Sequence, residues 1–328
     1  MSVSLAILSA AHSHAHAYAT ALESVPGAEL VAIADDDETR GESFAAEHDV
    51  DYGPTEDVLA QVDGAVVCSE NTRHIEWVHA AADAGVDVLS EKPLATTRDD
   101  AQAMVDRCED AGVNLGVAMP VRFNEPIRRA KAAYDDGELG ALRALIGTNL
   151  LTRMSGSGWI SNPDLGGGGA IMDHTVHVVD LGRWISGKEV TEVFAYGGTR
   201  FADLEVEDIS LASMQLGDEI PFSHEGSWRQ PDTWDFWGDV TMRLIGDEQV
   251  IEVDCFDRTF KHTHAEDGVQ RVEWGEDMNA GMLADFAAAV EADRTPEVSG
   301  EEGVAEVRVV EAAYESVERG EPVTVQYD

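Results

Sequence analysis

The sequence predicts an α/β chain. A Rossmann-type, doubly wound parallel sheet is expected over residues 1–120. An α+β domain with a large, mostly antiparallel open sheet is expected over residues 121–328. Three observations carry this reading. Short apolar runs alternate with helical stretches through the first third, which is the pattern of βαβ units. The alternation stops near residue 121, and residues 190–272 are mostly extended, with turn residues at short intervals. The length of 328 residues suits two domains.

Each element has its own signal. Residues 3–8 are a short apolar run, followed by a helical stretch over 14–24 and the turn Pro26-Gly27. A second run, 29–34, ends abruptly in Asp35-Asp36-Asp37, and a helix is expected over 39–48. A third run, 64–68, stops at Ser69-Glu70-Asn71 before a helix over 72–84. Strands over 87–90 and 114–118 flank a helix over 98–111. Beyond them lie a helix over 125–136, a strand over 141–152, a glycine cluster with a second helix, and a helical region over 278–319. A parallel sheet of this kind binds ligands at the carboxyl ends of its strands.

Composition narrows the function. Asp and Glu number 64 against 22 Lys and Arg, a formal charge of −42. No basic patch is present to meet nucleic acid or an anionic membrane. The acids are interleaved with apolar residues, and only four lysines occur: Lys92, Lys131, Lys188 and Lys261. Such self-repulsion calls for screening, and at molar salt the Debye length is about 3 Å. An extreme halophile's cytoplasmic protein is expected. No apolar run is long enough to span a bilayer, and residues 1–10 do not resemble a secretory signal. The widely spaced Cys68, Cys108 and Cys255 suggest reduced structural thiols.

Three motifs carry chemistry. The first is the turn after the first strand. A dinucleotide fingerprint would put glycines where this chain has Ser9, Ala11 and His14. Asp35, at the end of the second strand, is placed to accept from ribose hydroxyls and to repel a 2′-phosphate, which favours NAD over NADP. His12, His14 and His16 alternate at the same turn. They read either as polar residues opening a helix beside an anion or, through His12 and His14, as a zinc pair of a metal-dependent hydrolase.

The second motif is Glu91-Lys92-Pro93 at a strand end, which puts an ammonium in the crevice. The third runs from Gly166 to Asp180. Its glycines open a helix on which Asp173, His177 and Asp180 fall at i, i+4 and i+7, with His174 beside them. A carboxylate one turn from an imidazole can orient it as a general base. The same two residue types could also bind zinc, although no metal is expected.

Together these motifs resemble the Gfo/Idh/MocA oxidoreductases, named for glucose–fructose oxidoreductase and inositol dehydrogenase. The resemblance runs over essentially the full length. It includes Asn71 with His74, Glu91-Lys92-Pro93, Arg122-Phe123-Asn124, the Asp-x-x-x-His helix and Glu207-Asp208. It implies NAD(P)-dependent hydride transfer at a hydroxyl carbon of a sugar or polyol. His177 would be the base, Asp173 its orienter, and Lys92 a donor to the reacting oxygen. Cofactor contacts are implied for Ser9, Ala11, His12, Ser13, His14, Asp35, Asn71, His74, Glu91, Lys92 and Arg122. Substrate contacts are implied for Lys92, Trp159, Asp173, His174 and His177, and a homodimer or homotetramer is expected. Trp228, Trp234 and Trp237 are further candidates to border the sugar; His262 and His264 are given no role. A non-catalytic sensor on the same fold is the third reading, disfavoured by the presence of Lys92, Asp173 and His177.

Overall fold

The computed structural model describes residues 2–154, 156, 158–231, 233, 234, 238–257 and 275–327, with the backbone alone for 259–264 and 268–273. The first unit follows the expected alternation: β1 (Val3–Leu8), α1 (His14–Leu22), β2 (Ala28–Ala34), α2 (Glu38–His48), β3 (Asp51–Tyr52), α3 (Thr55–Leu59), β4 (Gly64–Val67), α4 (His74–Asp83), β5 (Asp87–Ser90), α5 (Arg98–Ala111) and β6 (Leu115–Val117). The strands pair in parallel in the order β3-β2-β1-β4-β5-β6. The chain reverses direction across the sheet between β1 and β4, so a ligand crevice is expected at their carboxyl ends. β3 and α3 escaped the sequence reading because two and five residues carry no usable period.

The apolar runs are continuous because both sheet faces are covered. On one face, Leu5 and Ile7 pack with Tyr18 and Leu22 of α1 and Phe44 of α2. On the other, Leu8 and Val67 pack with Val78 of α4 and Met104 of α5. Caps fix the helix starts. The Asp37 side chain accepts from Arg40 N, and Thr97 accepts from Asp100 N.

The second unit opens with α6 (Glu125–Asp135) and β7 (Leu142–Thr152), then α7 (Pro163–Gly166) and α8 (Ala170–Ser186). Strands β8 (Val190–Gly198), β9 (Ile209–Leu216), β10 (Ile220–Gln230), β11 (Gly238–Gly246) and β12 (Val250–Asp254) follow. β13 (Thr259–His264) and β14 (Gly268–Glu273) form a separate hairpin. α9 (Met278–Ala292), α10 (Gly300–Arg319) and β15 (Val323–Thr324) end the chain. The large sheet runs β12-β11-β7-β10-β9-β8-β15. Only β7 and β10 pair in parallel among its described neighbours.

α8 lies under the inner face. Gly182 lets it approach closely, since a Cβ there would stand 2.6 Å from the Phe222 ring. The last helical region is two helices that return to the first sheet. Leu283 and Phe286 of α9 join the β1 core, and Val307 and Val310 of α10 join the other face. No helix among the described residues is long and apolar enough to cross a membrane. Cys68, Cys108 and Cys255 are all buried free thiols.

A buried charge node ties α8 to α10. The Arg122 guanidinium forks onto Asp180, with Nε 3.0 Å from Oδ1, and its Nη2 also reaches Glu302 Oε2 at 3.2 Å. Arg183 Nη1 donates to the same Glu302 oxygen at 2.7 Å. Glu306 is wholly buried beside Asp180, and neither of its oxygens meets a donor. Burial first and Asp180 next push its carboxyl well above the ordinary value, against the opposing pull of Arg183 and Arg122. A proton on Glu306 supplies the donor that the pair of carboxyls otherwise lacks.

An acid whose folded pKa is raised costs stability once pH passes its unfolded value, 4.5 here. Glu306→Gln keeps the shape and a donor but does not titrate. The variant should therefore gain on wild type as pH rises from 4.5 towards neutrality, by up to about 1.4 kcal/mol per pH unit. Urea unfolding across that range at constant salt measures the difference. Parallel stability curves would mean that Glu306 is ionised in the fold.

Candidate active site

The turn between β1 and α1 works without glycine. Ser9 adopts φ 65°, in the left-handed region where glycine is favoured. Its Oγ accepts from Ala11 N and from Arg40 Nη2, both at 3.3 Å. The Ala10 amide donates to Asp35 Oδ2 at 2.7 Å, which pins the turn to the end of β2. Asp35 also accepts from Asp37 N at 2.9 Å and from both Arg40 Nε and Nη2, at 2.8 and 2.6 Å. Its side chain is 0% exposed, whereas that of Arg40 is 30% exposed.

The turn suits the pyrophosphate of a dinucleotide. α1 carries no acid in its first turn, and Ser13 stands at its N-cap with no side-chain cap bond. His12 accepts from His14 N at Nδ1, 3.1 Å away. Burial first, and then His14, lower the His12 pKa to about 3, so its ring is neutral. Below the turn stands Glu91, fully buried, with Oε1 accepting from Tyr18 Oη at 2.5 Å and lying 2.8 Å from His14 Nδ1. Its Oε2 accepts from Lys92 N at 3.0 Å. Burial alone would raise the Glu91 carboxyl, but His14, His12 and Lys92 together hold it far below its usual range.

Lys92 follows β5 and precedes a cis peptide bond to Pro93. Its Nζ donates to Asp173 Oδ1 at 2.5 Å and to the Asp173 carbonyl at 3.3 Å. The other Asp173 oxygen accepts from Trp228 Nε1 at 2.9 Å. Burial opposes ionisation of Asp173, but Lys92 and then His174 outweigh it and hold the carboxyl well below its ordinary value. Asp173, expected to orient His177, makes no hydrogen bond to it. The two lie one helical turn apart, but the carboxylate is turned toward Lys92 and Trp228. His174 Nε2 lies 3.0 Å from Asp173 Oδ2, yet out of line for a hydrogen bond. His177 is buried with Nδ1 unpartnered, and burial, reinforced by Lys92, lowers its pKa well below 6.5.

The glycine run serves the entry of α8. The Gly169 and Ile171 amides donate to Glu207 Oε1 at 3.0 and 2.9 Å, so this helix N-terminus already holds its anion. A Cβ on Gly169 would stand 2.0 Å from the Glu207 carbonyl oxygen. Glycine is therefore required by close packing.

A cavity of about 590 Å³ lies at the carboxyl edge of the first sheet, facing the inner side of the second. Ala11, His12, Ser13, His14, Lys92, Trp159, Asp173, His174 and His177 line it. Trp159 Nε1 donates to the Ala11 carbonyl at 3.0 Å, closing one wall.

The other expected contacts stand outside the lining. Ser9, Asp35 and Glu91 support the turn from behind. Asn71 donates to the Gly166 carbonyl at 3.0 Å and bridges the two units. His74 is buried against the Ser69 and Pro93 carbonyls. Arg122 is held by Asp180. Trp228 anchors Asp173 and does not border the cavity; Trp234 is also outside the lining, and Trp237 lies outside the described residues, as do the side chains of His262 and His264.

Asn149, Tyr18 and Asn279 were missed by sequence reading. Asn149 is a polar residue at an inward position of β7, a break in alternation that could have flagged it, and with Asn279 it lines the cavity. Tyr18 stands at i+4 from His14 on α1. Nothing in the sequence marks Asn279.

The comparisons agree with this geometry. A family model described as "Oxidoreductase family, NAD-binding Rossmann fold" matches residues 8–119, and one described as "GFO/IDH/MocA C-terminal domain" matches 127–252. The chain is 32% identical to D-xylose 1-dehydrogenase (NADP(+)) 2 of Haloferax volcanii, over 90% of this chain and 91% of that protein. It is 26% identical to scyllo-inositol 2-dehydrogenase (NAD(+)) of Bacillus subtilis, over 74% and 69% of the two chains. A solved structure of a probable dehydrogenase from Thermotoga maritima superposes with TM-score 0.85 at 25% identity, covering 98% of this chain and 99% of that one. These matches give no support to the hydrolase or the sensor. Locally, the His12, His14 and Glu91 donor atoms are engaged with one another, with Tyr18 and with the Lys92 amide.

Trp228→Phe tests how Asp173 is held. The variant leaves one oxygen of a buried carboxylate without its donor, and the fold should lose about 1–3 kcal/mol. Urea unfolding at high salt reads this loss; unchanged stability would mean that Lys92 alone holds Asp173.

Proposed function

The chain belongs to the Gfo/Idh/MocA oxidoreductase family, and we propose that it interconverts a sugar hydroxyl and carbonyl, with an aldose as substrate and NAD(P) as hydride carrier. The carrying observation is a buried, neutral His177 that lines one cavity with the Lys92–Asp173 pair at the carboxyl edge of the Rossmann sheet. The printed activity of the Haloferax volcanii relative supports an aldose.

In the direction of oxidation, His177 takes the hydroxyl proton while the C–H bond breaks with its electron pair. A bound NAD(P) would supply the acceptor for that hydride. The Lys92 ammonium donates to the reacting oxygen and stabilises the charge that gathers on it. Asp173 holds the ammonium in place, and Trp228 holds Asp173. The β1–α1 turn and the α1 N-terminus take the pyrophosphate, and Asn149 meets a substrate hydroxyl from the sheet floor. A positioned base supplies about 10²–10⁴-fold.

The nucleotide preference rests on Asp35 and Arg40. Asp35 alone suggested NAD. Its carboxylate is shut in by Arg40, however, and the half-buried guanidinium stands at the end of β2 beside the more exposed Asp36. This supports acceptance of a 2′-phosphate, so NADP(H) is expected to bind at least as well as NAD(H). The outer face of the large sheet exposes Ile146, Phe194, Tyr196 and Leu211, which supports association of copies through that face. The charge of −42 supports activity in molar salt.

His177→Asn should lower kcat for D-xylose oxidation by about 10²–10⁴-fold with little change in nucleotide binding. Because the His177 pKa is lowered, its base form persists below pH 6.5. The acid limb of kcat/KM should therefore fall below that value; a limb centred at an ordinary histidine pKa would refute the assignment. For the nucleotide, Arg40→Ala should weaken NADPH binding about tenfold and leave NADH nearly unchanged. Fluorescence titration at high salt reads both, and wild-type binding tenfold tighter for NADH would overturn the role given to Arg40.

A further inference from the structure

Two histidines and a glutamate converge between α1 and α2, outside the lining of the cavity. His16 lies in the first turn of α1, and His48 is the last residue of α2. His16 Nδ1 and His48 Nε2 are 2.9 Å apart. Glu47 Oε2 lies 3.5 Å from the same His16 nitrogen. One ligand atom from each of the three falls within 4.8 Å of the others. The Phe44 ring sits 5.0 Å from the His16 ring and 4.5 Å from that of His48. Phe44 is itself buried at 1% exposure, so both imidazoles rest on a fixed surface.

We propose that His16, His48 and Glu47 form a binding site for a divalent transition metal, zinc in the first instance, that clips α1 to α2. Two ring nitrogens this close cannot both carry protons, so at least one lone pair already points into the gap. With Zn–N bonds of about 2.0–2.1 Å, tetrahedral ligand atoms stand about 3.3 Å apart. The observed separations of 2.9 and 3.5 Å bracket that value, so small side-chain adjustments suffice.

Binding needs no net proton loss when both rings are neutral. The proton now between them moves to the outer nitrogen of its own ring, and the lone pairs go to the metal. Glu47 is 61% exposed at its side chain, which leaves water to complete the shell. The surrounding charge favours a cation, with Glu23 and Glu47 both facing His48. α1 begins at the nucleotide turn and α2 carries Arg40. A clip between them would stabilise the frame on which that turn is built.

The test is calorimetric titration of the whole chain with zinc sulfate, after chelator treatment, in concentrated potassium sulfate near neutral pH. Wild type should take up one equivalent at this site, and its Tm should rise with zinc. His16→Gln and His48→Gln should each lose affinity by at least about thirtyfold and show no zinc-dependent rise in Tm. Both side chains sit at the surface, and far-UV circular dichroism confirms that the variants are folded. His14→Gln distinguishes the crevice cluster: uptake lost there but kept in both other variants would overturn the proposal. No uptake by wild type would overturn it as well. Affinity should fall as pH drops below about 6.5, where imidazoles charge.

Discussion

The ion pair between Lys92 and Asp173 joins the two units at the point where chemistry is expected. Lys92 leaves the carboxyl end of β5 in the first sheet, and Asp173 stands in the first turn of the helix beneath the second. Their side chains are only 6% and 8% exposed, so neither charge is compensated by water. Burying two charges is expensive, and removal of one partner typically costs about 3–5 kcal/mol. The cost is tolerable because every polar atom is met. Lys92 also reaches the Asp173 carbonyl, and Trp228 satisfies the second carboxylate oxygen. Burial keeps His177 neutral, and the Lys92 cation reinforces it against the opposing pull of Asp173. One salt bridge therefore aligns the units, closes the back of the cavity and leaves a base within it.

The same logic recurs at other buried or half-buried cations of this acidic chain. Arg122 lies on Asp180 and Glu302, Arg183 on Glu189 and Glu302, and Arg40 on Asp35 and Asp36. With 22 basic residues among 64 acids, cations are scarce, and these three each serve more than one carboxylate. Glu306 lies at the node where the cations run out and takes a proton in their place. The excess of acids stays at the surface, where salt screens it. High charge and an ordinary apolar core are compatible because they occupy different layers.

Much of this was legible in the sequence, and the limits are physical. Strands buried on both faces read as apolar runs and one-sided helices by their period, so the strand at 87–90 and the helix at 98–111 fall where they are expected. The close of the chain read as one helical region because both halves are apolar on one side. It breaks after Ala292, where Asp293 takes φ 49° and Pro296 follows within four residues. The candidate site was legible as a set of residue types at strand ends and helix starts. The direction of each hydrogen bond was not. Spacing put Asp173 beside His177, but the rotamer of Asp173 is chosen by Lys92, 81 residues earlier, and by Trp228, 55 residues later. Arg122 and Asp35 show the same limit: a charged residue reads as available until its partner is known.

The glycine-less turn shows how a motif can change while its geometry holds. A glycine after β1 is useful for its positive φ and for a small profile. Ser9 keeps the positive φ, at a cost of about 1–2 kcal/mol for an L-residue. Its hydroxyl then does what no glycine could, accepting from both the Ala11 amide and Arg40. Those two bonds, with the Ala10 amide on Asp35, tie the turn to β2 and α2. The strain at Ser9 is thus offset by a local network, and that network also places Arg40 over Asp35. Loss of glycine and exposure of a guanidinium at the nucleotide end are therefore one structural change. The proposed acceptance of a 2′-phosphate thus rests on Ser9 as well as Arg40, because Ser9 helps to hold the group that covers Asp35.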